Sequence, residues 1–247
     1  MSIQFYHYDK PVNEPSPSGY CQKLETYLRA ASFKDYALIA SLPFTAPKGK
    51  LPYIILTHGA STTPIADSHF ILKHLIQTGV VKDLDAGLSD IEKADSRAWQ
   101  AWTEELVYPA LCHTRWLRPE NFAIMSENIP APWVLKPILA RYFRYRIGSA
   151  LYGHGVGRHS DEEIDILLKE YVDALENRLE GREWFHGSTF SGIDVVVYAF
   201  LVNAVGEKGN PGYTRLILGR SRIKELIRRG TKLWFPEYEG VLEEVEK

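Results

Sequence analysis

The sequence predicts two parts, a small α/β unit at the N-terminus and an all-helical region after it. Over residues 1–80, short β-prone runs alternate with stretches of helical spacing. From about Ser89 onward the β signal disappears, and one helical pattern follows another. Residues 81–90 are polar with one glycine, which is typical of a linker. We therefore expect an α/β domain at 1–80, a linker at 81–90 and a helical domain at 91–247.

The first two elements are a strand and a helix joined by a Pro/Ser loop. Ile3–Tyr8 is short, aromatic and β-prone. After the loop, helical spacing defines one apolar face, formed by Cys21, Leu24, Leu28 and Ala31.

Three more strands and a helix complete the predicted order β-α-β-β-β-α. Asp35–Ala40 is a second short apolar strand. The stretch LPYIILTHGASTTPIAD contains two strand-like pieces with a hairpin turn at His58-Gly59. The helix that follows ends at Gly79, and its apolar spacing runs through Phe70, Ile71, His74 and Leu75.

The second region contains helix signals only. DIEKADSRAWQAWTEELVYPALCHTRWL and APWVLKPILARYFRYRIGSALYG predict helices, the second interrupted or started by prolines. Ser160 and Glu163 form a capping-box pattern, and SGID (Ser191–Asp194) resembles a second box. The tail predicts a last helix that ends at Pro236.

Composition excludes several classes of protein. An apolar fraction of 45% is enough for a sizeable core, and a net charge of −2 argues against a general nucleic-acid binder. Two cysteines form neither a disulfide framework nor a cysteine-based zinc site, and they suit a reducing compartment. No signal peptide is recognisable, and the longest apolar run, Val195–Val202, is too short for a membrane span. We expect a soluble, intracellular protein.

The turn PSPSGYC places Ser18 and Cys21 at the start of the first helix. A helix N-terminus favours an anion and would lower the pKa of a thiolate held there. Two simpler interpretations remain: Ser18 as an N-cap, and Cys21 as a buried inert thiol on the apolar face.

Two later motifs strengthen a binding function for this turn. In GKLPYI, Pro52 stands at the start of a strand, where a cis bond would expose the backbone of Leu51 to a peptide-like ligand. In IADS, Asp67 and Ser68 stand at another helix start, where they could hold an ammonium and a carboxylate or merely cap the helix. The serine turn, the LP motif and the ADS motif occur in this order along the chain. Chance would produce this combination much less often than it would produce any one of the three motifs.

These motifs resemble those of glutathione-transferase-fold proteins, which join a thioredoxin-like domain to an all-helical domain. The matching stretches are YCQKLETYLRAA, GKLPYI, IADSHFILKHL, GVGRHSDEEI and IKELIRRGTKLWFPEYE, and the chain is most similar to the failed-axon-connections and metaxin-like branch. That branch has Ser-Pro-aromatic-Cys at the turn, whereas Gly19 here widens the permitted backbone conformations. The resemblance implies that Ser18 takes the place of the first thioredoxin cysteine, so that two-cysteine disulfide exchange is unavailable at this turn.

The resemblance implies a glutathione-dependent transferase. Ser18, assisted by the amides of Gly19 and Tyr20, would favour the glutathione thiolate. Leu51 and Pro52 would hold the peptide backbone, and Lys50 would meet the glycine carboxylate. Asp67 and Ser68 would hold the γ-glutamyl end. Tyr8 is a second candidate activator, or an aromatic packed beneath the sheet.

The helical domain would lodge a small hydrophobic electrophile. VYPALCHTRWL offers Tyr108, Cys112, His113 and Trp116 at helical spacing, a pattern that also suits a core stripe. The resemblance also implies a homodimer. From charge, hydropathy and cysteine usage we expect a cytoplasmic protein without a nucleic-acid partner and without a membrane span.

Two alternatives belong to other classes. The metaxin-like relatives suggest a non-enzymatic adaptor, with association at a mitochondrial surface, and Lys136–Gly148 combines basic and aromatic residues that could favour a partner or an anionic surface. A redox function through Cys21 is the third option.

Overall fold

A computed structural model, which describes residues 2–58, 61–129 and 131–247, confirms the order β-α-β-β-β-α for the first part of the chain. Its elements are β1 (Ser2–His7), α1 (Gly19–Ala30), β2 (Tyr36–Ala40), β3 (Tyr53–His58), β4 (Ser61–Ala66) and α2 (Ser68–Gln77). The predicted turn at His58-Gly59 falls on residues 59–60, which lie outside the described residues.

The four strands form one mixed sheet in the order β2-β1-β3-β4. β1 is parallel to β2 and antiparallel to β3, and β4 is antiparallel to β3. The core of the sheet includes Phe5 and Ile54, both without solvent exposure. α2 packs against β3 and β4, and α1 packs against α2. The predicted apolar faces of the two helices contribute the fully buried residues Leu24, Leu28, Ile71 and Leu75, whereas Phe70 is 53% exposed.

Nine helices follow in the described part of the chain. They are α3 (Asp90–Ala101), α4 (Tyr108–Leu117), α5 (Pro119–Glu127), α6 (Lys136–His154), α7 (Asp161–Arg178), α8 (Gly192–Gly206), α9 (Pro211–Leu218), α10 (Ser221–Trp234) and α11 (Glu239–Glu246). A π-helical segment, Trp102–Val107, joins α3 to α4. The chain therefore has a mixed four-stranded sheet followed by helices, as the sequence predicts.

The tail differs from the prediction in one respect. α10 ends at Trp234, shortly before Pro236, because proline cannot continue a helix. It is not the last helix, however, since α11 begins three residues after the proline.

The predicted capping box at Ser160 is present. The Ser160 hydroxyl accepts from the amide of Glu163 at 3.3 Å, and the Glu163 carboxylate accepts from the amide of Ser160 at 2.8 Å. At the start of α8, the buried carboxylate of Asp194 accepts from the amide and the hydroxyl of Ser191 at 2.8 and 2.9 Å.

Contacts divide the chain into two compact units. The first consists of Met1–Arg97, Arg182–Gly206 and Glu225–Lys247, and the second of Ala98–Gly181 and Glu207–Lys224. In the first unit α8 packs against α1. Across the described residues, no helix combines the length and the apolar character needed to cross a membrane. The predicted boundary at residues 81–90 stays a prediction.

Candidate functional site

One end of the sheet brings together the predicted residues of the first unit. Tyr6 of β1 lies opposite Tyr53 of β3, which lies opposite Ala66 of β4. The segments that follow β1, precede β3 and follow β4 therefore lie at the same end of the sheet. These segments carry Tyr8, Ser18, Leu51, Pro52, Asp67 and Ser68.

Ser18 caps α1. Its backbone is extended (φ −111°, ψ 116°), and its hydroxyl oxygen accepts from the amide of Cys21 at 3.4 Å. The residue is 4% exposed. Because a hydroxyl that accepts a hydrogen bond still carries its own proton, capping by itself does not use the donor of Ser18. The N-cap interpretation and the catalytic interpretation are therefore compatible.

Cys21 is buried in the core behind this turn, with 1% exposure. Burial raises the pKa of its thiol to about 12, against the opposing effect of hydrogen bonding with Ser18, the backbone of Tyr8 and Ser16. A thiol with this pKa stays protonated near neutral pH and is a poor nucleophile. This favours the inert-core interpretation of Cys21 over a redox function.

Gly19 is explained by space and not by backbone freedom. It is the first residue of α1, and a Cβ at this position would lie 2.6 Å from two ring carbons of Phe200 in α8. The next residue, Tyr20, makes an edge-to-face contact with the same ring at 5.3 Å. Glycine thus lets α8 approach the start of α1 closely, and the turn keeps ordinary helical geometry. The wider conformational freedom of glycine is therefore not used here, and whether this turn supports catalysis stays a prediction.

The peptide bond between Leu51 and Pro52 is cis. This is one of the arrangements that the sequence allowed for a proline at the start of a strand. Leu51 and Pro52 are buried, whereas Lys50 is exposed. The carbonyl of Pro52 accepts from the amide of Asp67 at 3.4 Å, which ties this turn to the start of α2.

Asp67 caps α2 from an unusual backbone conformation. Its φ of 83° lies in the left-handed region, which costs about 1–3 kcal/mol for a residue other than glycine. Its Oδ1 accepts from the amides of His69 and Phe70 at 2.9 and 3.4 Å. The side chain is exposed, and within the described part of the chain Oδ2 has no partner. The neighbouring Ser68 is buried.

The predicted electrophile residues lie on α4, in the second unit. Tyr108 and Cys112 are half-buried, and the ring of Trp116 lies 6.5 Å from Phe122. His113 is buried, and its Nδ1 lies 3.6 Å from Asp161 at the start of α7. Burial lowers the pKa of His113. A pocket built from these residues stays a prediction.

The family model for the glutathione S-transferase N-terminal domain matches residues 19–121. The chain is 30% identical over 210 residues to failed axon connections of Drosophila melanogaster, covering 81% of this chain and 49% of that protein. It is 28% identical over 206 residues to the isoprene-epoxide–glutathione S-transferase of Rhodococcus sp., covering 81% and 85%. Human metaxin-1 is 29% identical over 175 residues, covering 65% and 35%.

Solved structures show the same fold. A glutathione S-transferase from Methylobacterium radiotolerans, in complex with glutathione sulfonate, superposes with a TM-score of 0.63 at 14% identity, covering 98% of this chain and 95% of that one. This chain has the glutathione-transferase fold, and its residues 19–121 belong to the glutathione S-transferase N-terminal domain family. It spans about half the length of failed axon connections and about a third of metaxin-1, but most of the bacterial transferase.

Two features of this chain were not predicted from its sequence patterns. The buried ion pair of Lys10 and Glu25, 3.6 Å apart, links the loop after β1 to α1, and only the polar residues inside an otherwise apolar helix hinted at it. His7 is also buried, and its Nδ1 has no hydrogen-bond partner among the described residues. His7 lies at the end of a β-prone run, and this position predicted neither its burial nor the unpaired state of its Nδ1 atom among the described residues.

Proposed function

We propose that this protein is a glutathione transferase that activates the glutathione thiol with Ser18. One observation carries the proposal: the strand register gathers the Ser18 turn, the cis Leu51–Pro52 turn and Asp67-Ser68 at one end of the sheet. A tripeptide with a charged group at each end needs this combination of a helix N-terminus, a backbone segment to pair with and a carboxylate.

The proposed binding roles follow from the contacts. Oδ1 of Asp67 is occupied by the amides of α2, so Oδ2 would accept from the γ-glutamyl ammonium while Ser68 binds the adjacent carboxylate. Leu51 would pair through its backbone with the cysteinyl residue of glutathione. The exposed ammonium of Lys50 would meet the glycine carboxylate.

In the proposed reaction, the Ser18 hydroxyl donates to the glutathione sulfur and stabilises its thiolate. The first-turn amides of Gly19 and Tyr20 add the positive end of the α1 dipole. The similarity to an isoprene-epoxide transferase makes a small epoxide the first electrophile to test. The sulfur would attack an epoxide carbon, the carbon–oxygen bond would break, and the alkoxide would take a proton from water. Tyr108, Cys112, His113 and Trp116 remain the candidates for contacting this substrate.

Glutathione binding and turnover test this proposal. We expect retention on immobilised glutathione, a rise in melting temperature with millimolar glutathione, and glutathione consumption with a small epoxide. Ser18→Ala should slow turnover by at least about tenfold, since it removes a donor to a developing anion. Tyr8→Phe is the matched control for the other candidate activator. Unchanged turnover in Ser18→Ala, with loss in Tyr8→Phe, would transfer the role to Tyr8.

A binding function is the second candidate, and the surface of α6 favours it. Large apolar side chains in α6 and just before it are unusually exposed, namely Trp133 (82%), Ile138 (64%), Tyr142 (53%), Tyr145 (73%) and Tyr152 (61%). Residues 128–160 contain five basic and no acidic residues, although the whole chain has a net charge of −2. An aromatic face flanked by arginines is complementary to an anionic membrane surface. Two copies of this face would instead repel each other.

Vesicle sedimentation tests the second candidate. We expect binding to phosphatidylcholine vesicles that contain phosphatidylserine, and none to phosphatidylcholine alone. Replacing the exposed Arg141 and Arg146 by Glu should abolish this binding, whereas Lys34→Glu/Lys48→Glu, with the same charge change elsewhere, should retain most of it. If both variants lose it equally, net charge and not the α6 face would be responsible.

From the similarity to glutathione transferases we also propose that the protein forms a homodimer and lies in the cytoplasm. Light scattering distinguishes a dimer from the 28.2 kDa monomer. Fractionation of cells that express the chain tests its location.

A further inference from the structure

The loop that leads to Ser18 is held through Ser16. The amide of Ser16 donates to Oε1 of Gln22 at 2.8 Å, and its carbonyl accepts from Nδ2 of Asn203 at 2.7 Å. Its hydroxyl accepts from the amide of Ser18 at 3.2 Å. Ser16 is 2% exposed and Gln22 is fully buried. The backbone that enters the cap is therefore fixed by two side chains, Gln22 at the amide of Ser16 and Asn203 at its carbonyl.

Gln22 is itself held by the segment after α10. The fully buried hydroxyl of Tyr238 donates to Oε1 of Gln22 at 3.4 Å and accepts from Nζ of Lys10 at 3.0 Å. Nζ of Lys10 also donates to the carbonyl of Glu14 at 3.1 Å and lies 3.6 Å from Glu25. The Tyr238 hydroxyl thus contacts both Lys10, which binds the carbonyl of Glu14, and Gln22, which binds the amide of Ser16.

Ion pairs hold this segment in place. Arg29 donates to Glu25 at 2.9 Å, to Glu237 at 2.6 Å and to the carbonyl of Trp234 at 2.9 Å. The side chains of Lys10 and Glu25 are only 5% and 2% exposed. Buried ion pairs contribute little net stability, because desolvation offsets their attraction. The ion pairs here join α1 to the loop after β1 and to the segment after α10.

We propose that Tyr238 is a positioning residue for the Ser18 turn. Through Gln22 it holds the amide of Ser16, and through Lys10 it holds the carbonyl of Glu14 in the same loop. Through Ser16 it sets the direction in which the Ser18 hydroxyl points. The consequence for the glutathione sulfur rests on the proposed function, whereas the effect on the turn itself does not.

Tyr238→Phe tests the proposal, with Tyr198→Phe as the matched control. Tyr198 belongs to the same unit and is fully buried, and among the described residues its hydroxyl bonds only to Thr231, at 3.1 Å. Without ligand, hydrogen exchange of the amides of Ser16 and Ser18 should accelerate by about fivefold in Tyr238→Phe, the factor expected for one lost hydrogen bond. Tyr198→Phe should leave both rates unchanged. Gln22→Met, which removes the acceptor, should reproduce the effect.

A second readout measures the bound glutathione. Its thiolate absorbance, titrated with pH, should give a higher apparent thiol pKa in Tyr238→Phe than in wild type or Tyr198→Phe. Adding Tyr238→Phe to Ser18→Ala should change nothing further, because the effect passes through Ser18.

The outcomes separate the two proposals. Equal exchange rates in Tyr238→Phe and Tyr198→Phe would overturn the positioning role, as would an additive effect in the Ser18→Ala background. Accelerated exchange in a protein that binds no glutathione would support the positioning of the turn and overturn the transferase function.

Discussion

At the scale of single residues, Gly19 carries the contact between α1 and α8. We expect Gly19→Ala to destabilise the protein by about 1–3 kcal/mol, because its Cβ would overlap the buried ring of Phe200. Gly240→Ala is the control, since a Cβ in α11 meets nothing within 4 Å. Urea unfolding measures both. Equal stabilities would contradict the packing explanation, and recovery in Gly19→Ala/Phe200→Leu would confirm it.

Buried histidines make stability depend on pH. Burial lowers the pKa of His7 and of His113 below the value of about 6.5 in the unfolded chain. Below that pH the unfolded chain binds more protons than the folded protein, so the free energy of unfolding should fall as pH falls. Urea unfolding at pH 7.5 and 5.5 measures the fall. His7→Phe should reduce it, and an unchanged slope in this variant would show that His7 does not contribute.

At the scale of secondary structure, the two helix starts predicted from capping patterns should differ in energy. The carboxylate of Asp194 accepts from the amide of Phe185 at 2.7 Å and from Ser191, and it is fully buried. Asp194→Ala would leave these donors buried without an acceptor, at a cost of about 2–4 kcal/mol. Ser160→Ala, at an exposed capping box, should cost about 1 kcal/mol. Denaturant unfolding gives the order, and a larger loss for Ser160→Ala would contradict it.

Local patterns predicted the elements but not their neighbours. Alternation and helical spacing are properties of a few consecutive residues, so β1–β4, α1 and α2 were predictable. The register that aligns Tyr6, Tyr53 and Ala66 joins residues far apart in sequence, and only tertiary pairing sets it. The short helices α5, α9 and α11 were missed because eight or nine residues give few apolar repeats.

The same distinction applies to the candidate site. Ser18, Pro52 and Asp67 could be predicted because turns and helix starts have local signatures. The roles of Gly19 and Tyr238 could not, since they depend on Phe200 and Gln22, which lie far away along the chain.

At the scale of the whole molecule, the first unit is assembled from three separate stretches of sequence. α1 shows the consequence, because even its polar residues are buried, namely Gln22, Lys23, Glu25 and Thr26. An isolated amphipathic helix would expose such a face to water. In this protein α8 and the segment around Tyr238 cover the polar face of α1. The predicted domain at residues 1–80 does not contain these covering segments.

A fragment of residues 1–90 should therefore not fold cooperatively by itself. It contains the sheet, α1 and α2, but it lacks α8 and Tyr238. The face of α1 that carries Lys23 and Glu25, and the apolar residues next to it, would therefore be exposed to water. We expect its urea transition, followed by circular dichroism, to be broad and without a native baseline. Residues 1–97 joined by a Gly/Ser linker to residues 182–247 should recover a sigmoidal transition, because they include every segment of the first unit. A sharp transition for residues 1–90 alone would show instead that the N-terminal domain folds independently, as the sequence-based boundary implies.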